Sequence, residues 1–213
     1  MKLSGISNKG LKRIAQFTSP DEGVFKLEEL SDAAKQHALE RYAEDATQDS
    51  YWYESVIANA KEDAPPYFII DEIQFSGFWS QGDGASWGGS VDFLKWCEAH
   101  GNELGVSLIK GGQISARGAV SLPQGNYNHS GGMGIEPDDY TDYPEDLSDV
   151  TEIPGAESAE DEMLTEVLDE AKDYANTVYR DLESEYEYQT SEEVFKDMVD
   201  ANEWMFDAEG NIV

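Results

Sequence analysis

The sequence predicts an α+β fold in which an antiparallel sheet is packed by N-terminal and C-terminal helices, with an acidic loop inserted. Three observations carry this prediction: two helical patterns before Pro65, strand-like and glycine-rich text over about 67–133, and one long amphipathic pattern over about 160–186. Runs of helix, then strands, then helix favour an α+β arrangement over an alternating α/β one.

The first helix is predicted over about 32–46. Ser31 is a good N-cap and Asp32 favours the positive end of the helix dipole. Apolar residues then recur every four positions, as one face of a helix requires; they are Ala34, Ala38 and Tyr42. A second helix is expected to begin after Asp49 and to end before Pro65.

The sheet is predicted to begin with a strand over 67–76, where β-branched and aromatic residues dominate. A tight turn is expected at Asp83–Gly84, because glycine accepts the positive φ of a hairpin turn. A helix from about Asp92 to His100 should end at Gly101. Two or three further strands are suggested by the segments GVSLIK, QISARGAVSL and NYNHSGGMGI.

The C-terminal part begins with an acidic, proline-containing segment over about 136–158, which we interpret as an exposed loop. A long helix is predicted over about 160–186. Thr190 and Glu193 form a capping-box pattern that starts a short helix, and Glu209–Gly210 indicates a final hairpin turn. The expected buried side of the long helix comprises Leu164, Leu168, Ala171, Ala175, Val178 and Leu182.

The chain of 213 residues is expected to form a basic lead-in over 1–20 and one domain over 21–213. A single cysteine, Cys97, excludes an intramolecular disulfide framework and is typical of a reducing compartment. No apolar run is long enough to predict a membrane span, and the lead-in lacks the apolar stretch of a signal peptide. We therefore expect a cytoplasmic location.

Negative charge is concentrated in the last 78 residues. Residues 136–213 carry 27 Asp and Glu against three basic residues, which is 24 of the 31 net negative charges of the chain. Such a surface repels nucleic acid and anionic membranes, and it attracts basic protein surfaces. The alternative is adaptation to high salt, although ten Lys outnumber four Arg and the charge is not spread evenly.

The segment from Gly77 to Val91 is rich in glycine and aromatic residues, and it allows two interpretations. Its side chains could form an exposed recognition surface, whose members would be Trp79, Gln81, Asp83 and Trp87. Alternatively, the segment is a hairpin whose rings pack against the helices, which is the interpretation that ring burial favours. The glycines match neither phosphate-binding pattern, because no GxGxxG opens a helix and no Lys-Ser or Lys-Thr follows.

Metal-dependent and nucleophilic chemistry have little support in the sequence. Cys97 and His100 could share a helix face, and His129 is a further nitrogen ligand. A structural zinc site usually takes four Cys or His ligands, so a buried Cys97 and an ordinary helix-end His100 are favoured. No cofactor, metal or catalytic residue is predicted, and we expect a protein that is not an enzyme.

Three segments together resemble a family of small acidic proteins encoded by phages and prophages. They are LSDAAKQHALERY (30–42), FSGFWSQGDGASW (75–87) and YRDLESEYEYQTSEE (179–193), and their order matches across most of residues 25–213. The resemblance implies a phage setting and no established activity. The basic lead-in and the loop over 136–158 are departures from this family.

Charge and resemblance together predict a phage-encoded anti-defence inhibitor, of the anti-CRISPR or anti-restriction type. It would bind the basic nucleic-acid-binding surface of a host protein or nucleoprotein complex, without binding nucleic acid or membranes itself. One mode of such binding is nucleic-acid mimicry. The alternatives are an antitoxin-like or other acidic interaction protein and, less favoured, an enzyme with a site near residues 77–91. The predicted partner-binding residues are Asp138, Asp139, Asp142, Glu145, Asp146, Asp149, Glu160, Asp161, Trp79, Gln81, Asp83 and Trp87.

Overall fold

The computed structural model describes residues 23–125, 127–138 and 155–213. Within them it contains six α-helices and one four-stranded antiparallel sheet, which confirms the predicted α+β class. In chain order the elements are α1 (Asp32–Ala46), α2 (Tyr51–Glu62), β1 (Phe68–Ser76), β2 (Gly84–Asp92), α3 (Phe93–His100), α4 (Glu103–Lys110), β3 (Arg117–Ser121), β4 (Gly134–Pro137), α5 (Ala156–Gln189) and α6 (Glu192–Asn202).

The described residues fall into two compact units. One comprises residues 50–186 and contains the sheet, α2, α3, α4 and most of α5. The other comprises 23–49 and 187–213, with α1 and α6. That residues 21–213 act as one domain stays a prediction.

The sheet of the 50–186 unit has the strand order β1-β2-β3-β4, with every neighbouring pair antiparallel. A register shift between Ile70 and Glu72 interrupts the β1–β2 pairing. This bulge explains the imperfect alternation of the sequence, because it lets both Ile70 and Ile73 pack in the core while Glu72 stays exposed.

Helix α3 follows β2 as predicted, with the Asp92 side chain accepting from the Lys95 backbone N–H and Gly101 in the left-handed region. The expected strand GVSLIK is wrong, because these residues belong to α4. The Asn102 side chain caps α4 by accepting from the Gly105 backbone N–H. Leu108 and Ile109 of α4 are buried in the core.

Helix α5 covers the sheet with a stripe of side chains spaced three or four residues apart. The helix is longer at both ends than the predicted 160–186. Residues 136–137 of the predicted acidic loop belong to β4 and residues 156–158 to α5, while 139–154 lie outside the described residues. The buried stripe consists of Met163, Val167, Ala171, Ala175, Val178 and Leu182, so Met163 and Val167 take the places expected for Leu164 and Leu168.

The second unit packs α1 against α6 and the C-terminal segment. Its core contains Leu30, Ala34, Ala38, Tyr42, Phe195, Val199 and Phe206. Helix α6 is capped by Ser191, one residue after the predicted Thr190, through a bond from the Val194 backbone N–H. The predicted turn at Glu209–Gly210 is confirmed by the Phe206–Ile212 bridge and by a positive φ of 94° at Gly210.

None of the helices in the described parts of the chain combines the length and the apolar composition that a membrane crossing requires.

Candidate partner-binding surface

The loop that joins β1 to β2 runs from Gly77 to Asp83 and is held by polar contacts. The Asp83 carboxylate accepts from the Ser80 backbone N–H, and the Asp83 backbone N–H donates to the Ser80 carbonyl at 3.1 Å. The Tyr179 hydroxyl of α5 donates to the Gly77 carbonyl at 3.0 Å. The loop is therefore fixed to α5 rather than loosely attached.

The turn does not lie at Asp83–Gly84, where the sequence placed it. Gly84 is the first residue of β2 and pairs with Ser76, so the connection is seven residues long. The positive φ values belong to Gly77 and Gly82 instead. A Cβ on Gly84 would lie only 3.0 Å from the His129 Cα, so this glycine serves close packing.

Aromatic rings from the loop, α2 and α5 form a continuous cluster, which we call the aromatic surface. The Phe78 ring lies 5.1 Å from that of Tyr186 and 5.5 Å from that of Tyr179, between centroids. The Trp79 ring lies 5.2 Å from that of Tyr186, edge to face, yet its residue is 70 % exposed. Trp52 of α2 contacts Tyr186 at 5.5 Å. The result is an exposed indole on a packed aromatic base.

Carboxylates border the aromatic surface. Burial first, and then the charges of Asp83 and Glu183, raise the pKa of the Tyr179 hydroxyl above its ordinary value of 10.0. Glu183 lies one helical turn from both Tyr179 and Tyr186, on the same side of α5. The aromatic surface therefore sits in a negative electrostatic environment.

The predicted residues of the 77–91 segment have different positions. Trp79 and Gln81 are exposed and Asp83 is half-buried. Trp87 is only 1 % exposed, and its indole N–H donates to the Ala171 carbonyl of α5 at 3.0 Å. Trp87 therefore does not belong to an exposed recognition surface; its side chain points into the core between β2 and α5, as the ring-packing interpretation expects.

The predicted acidic residues are only partly within the described chain. Asp138 and Asp161 are exposed and Glu160 is half-buried. Glu160 and Tyr186 are separated by 26 helical residues, which at about 1.5 Å per residue is roughly 39 Å. The acidic start of α5 and the aromatic surface are therefore two separate places. Outside the described residues lie Asp139, Asp142, Glu145, Asp146 and Asp149.

Sequence reasoning missed a polar cluster around Glu170 of α5. The Trp96 indole N–H donates to this carboxylate at 2.6 Å, the Tyr67 hydroxyl donates to its other oxygen, and the His100 Nε2 lies 3.4 Å away. Burial first, and then the contact with Glu170, strongly raises the pKa of the Tyr67 hydroxyl. The partners are 74 and 103 residues away in sequence, so no local sequence pattern predicts these contacts.

Cys97 and His100 are placed as the sequence favoured. Cys97 is fully buried and contacts the Met163 sulfur at 3.6 Å. Burial first, and then the charges of Glu166 and Glu98, raise the pKa of its thiol to about 11. His100 ends α3, with its ring stacked on Trp96. In the described ranges no three His, Cys, Asp or Glu side chains are grouped so as to hold a metal ion.

Two surface cavities lie away from the 77–91 segment. One, of about 510 Å³, lies between α1 and α6 and is lined by residues such as Lys35, Leu39 and Phe195. The other, of about 240 Å³, lies beside α4 and α5 and is lined by residues such as Asn102, Glu162 and Met163. Neither cavity is lined by a residue of the 77–91 segment, near which the enzyme alternative places its site.

Fold and surface together define an α+β protein whose four-stranded sheet is covered by one long acidic helix. The chain belongs to the family described as Domain of unknown function (DUF8835), whose model matches residues 52–192. The match nearly coincides with the 50–186 unit and includes both the aromatic surface and the whole of α5. No curated protein and no solved structure is significantly similar to this chain.

Proposed function

We propose that this protein is a phage-encoded anti-defence inhibitor that binds the basic, nucleic-acid-binding surface of a host complex without turnover. The observation that carries the proposal is the charge of α5. This one continuous helix of 34 residues has twelve acidic and two basic residues, while its opposite stripe lies in the core.

The charge spacing along α5 is comparable to that of a nucleic-acid strand. Thirty-four residues at about 1.5 Å each extend roughly 51 Å. Ten net negative charges over this length give one charge per about 5 Å, against one per roughly 3.4 Å for a single DNA strand. A rigid helix therefore presents a linear array of negative charge that a basic groove can accept.

The helix retains this charge at a cost. Like charges one turn apart destabilise a helix by some tenths of a kcal/mol per pair. Within the described part of α5, the Lys172 ammonium lies 4.0 Å from a carboxylate oxygen of Asp169, which is too far to relieve much of this repulsion. The resulting field would steer a basic partner to the surface, which gives the charge a function despite its cost in stability.

The proposal is tested by capturing partners from a bacterial host lysate with the tagged protein and then measuring affinity for the purified partner. We expect a nucleic-acid-binding defence complex whose affinity falls by at least about tenfold between roughly 50 and 500 mM salt. DNA or RNA should compete with the protein for this complex. An affinity that is unchanged by salt would contradict the proposal. A ternary complex, in which the partner holds nucleic acid and this protein at the same time, would also contradict it.

Matched variants separate the α5 charge from net charge. The first neutralises four exposed acids of α5: Asp161→Asn, Glu162→Gln, Glu166→Gln and Asp173→Asn. The control neutralises four exposed acids of the other unit: Glu40→Gln, Asp45→Asn, Asp197→Asn and Asp200→Asn. Both change net charge by four, and only the first should weaken binding strongly. An antitoxin-like protein would instead capture a toxin from the lysate, and co-expression of the two proteins would restore the growth that the toxin alone prevents.

A further inference from the structure

We propose that the aromatic surface binds an arginine side chain of the basic partner, with the guanidinium lying over the exposed indole of Trp79. This inference rests on the proposed function, and it names the group of the partner that is recognised. The site consists of Trp79, Tyr186, Glu183 and Asp83.

The geometry of Trp79 is that of a fixed binding platform. Its ring is 5.8 Å from that of Phe78 and 5.2 Å from that of Tyr186, both edge to face. Phe78 is in turn held between Trp52, at 6.2 Å, and Tyr179, at 5.5 Å. Because the supporting rings are packed, the 70 % exposure of Trp79 does not reflect a loose side chain. Tryptophan is one of the residue types enriched among the few positions that dominate binding energy in protein interfaces.

The charges around Trp79 select a cation. An aromatic face attracts a cation through its quadrupole. Asp83 and Glu183 add negative charge to the same aromatic cluster, since both act on the Tyr179 hydroxyl. Asp83 is already engaged by the Ser80 backbone N–H, which holds the loop and leaves its negative charge in place. The net charge of −31 opposes a second copy of this chain as the occupant.

Arginine fits this site better than lysine. The guanidinium is planar, stacks on indole and is weakly hydrated, whereas the ammonium of lysine is a strongly hydrated point charge. Glu183 lies one helical turn from Tyr186, on whose ring Trp79 packs, so it is the carboxylate to which the guanidinium would donate. Basic surfaces that grip nucleic acid are rich in arginine, so the occupant agrees with the proposed partner.

The test uses two defined probes, hexa-arginine and hexa-lysine peptides, with affinity measured by calorimetry and by tryptophan fluorescence at two salt concentrations. The wild type should bind both peptides and prefer arginine. Trp79→Ala should reduce hexa-arginine affinity by about fivefold, and hexa-lysine affinity by less, since a cation over tryptophan contributes modestly at an exposed site. Glu183→Gln should weaken hexa-arginine binding in the same direction.

The control variant is Leu104→Ala, which truncates another exposed apolar side chain, 57 % exposed and located on α4. It should leave both affinities unchanged. If Trp79→Ala does not fold, Trp79→Phe keeps a ring with a weaker quadrupole and should show an intermediate loss for hexa-arginine.

The outcomes distinguish this inference from the proposed function. If the Trp79→Ala variant binds hexa-arginine as tightly as the wild type, the arginine site is overturned. Salt-sensitive capture of the host complex would still support the proposed function. An equal loss for both peptides also overturns it, because the indole would then select no guanidinium. Concentration-dependent dimerisation that Trp79→Ala abolishes would assign the surface to a second copy of this chain and contradict the proposal.

Discussion

Removing the Glu170 carboxylate should destabilise the protein more than removing any exposed acid of α5. Glu170 accepts from the Trp96 indole at 2.6 Å and from the Tyr67 hydroxyl. Both donors belong to buried residues, while the Glu170 side chain is 31 % exposed. In Glu170→Ala both donors lose their acceptor, and each buried unsatisfied donor costs about 1–3 kcal/mol.

The expected loss for Glu170→Ala is therefore about 3 kcal/mol in the free energy of unfolding, allowing for partial access of water to the site. Glu170→Gln keeps one carbonyl oxygen but turns an NH₂ group toward the second donor, so about 1–2 kcal/mol should be lost. Glu170→Gln, Tyr67→Phe and the double variant form a double-mutant cycle. Because the two residues are in direct contact, their effects on the free energy of unfolding should couple by at least about 0.5 kcal/mol.

The assay is urea unfolding followed by circular dichroism, with the slope of the transition compared between variants. Glu162→Gln, at an exposed position of the same helix, is the matched control and should stay within about 0.5 kcal/mol of the wild type. A Glu170→Ala protein as stable as this control would refute the assignment of Glu170 as the acceptor that ties β1 and α3 to α5.

Three further predictions concern the core and one turn. Iodoacetamide should not label Cys97 in the native protein at pH 8 and should label it after unfolding. The pKa of the Cys97 thiol is raised from 9.0 to about 11, so the neutral thiol stabilises the folded state fully below pH 9.0. This stability, about 3 kcal/mol, should be lost as the pH rises through 11. Gly210→Ala places a Cβ 2.2 Å from the Ala34 carbonyl oxygen at a φ of 94°, so it should cost more than about 2 kcal/mol by thermal unfolding, whereas Gly101→Ala, with no atom within 4 Å, should cost about 1. Trp87→Phe removes a buried indole N–H that donates to α5 and should cost about 1–3 kcal/mol in urea unfolding; a loss below 0.5 would contradict its place in the core.

Local signals predicted the elements whose ends are marked by caps. Helix α1 has the predicted bounds because Ser31 caps it and Ala34, Ala38 and Tyr42 repeat with the helical period. The same approach failed for GVSLIK, where Val and Ile suggested a strand. The Asn102 cap and the burial of Leu108 with Ile109 decide in favour of helix, and six residues are too few for periodicity to show it.

Position within the tertiary structure could not be predicted from local patterns. Trp79 and Trp87 occur in the same glycine-rich segment, and only the pairing of β2 with its neighbours decides that one is exposed and the other buried. The length of the β1–β2 loop also moved the turn away from Asp83–Gly84. Glu170 looked like any other acid of α5, because its partners are distant in sequence.

The length of α5 sets a requirement on the partner that separates the anti-defence proposal from the antitoxin alternative. A partner that contacts both Glu160 and the aromatic surface must present a basic surface about 39 Å long. At roughly 3.4 Å per base pair, this corresponds to a groove that holds about 11 base pairs of nucleic acid. Such a partner should lose affinity for variants at either end of α5, in the acids near residue 161 and at Trp79, with independent and nearly additive effects. A small basic toxin would contact only one end of α5. Its affinity should therefore fall for the variants at that end and stay unchanged for those at the other.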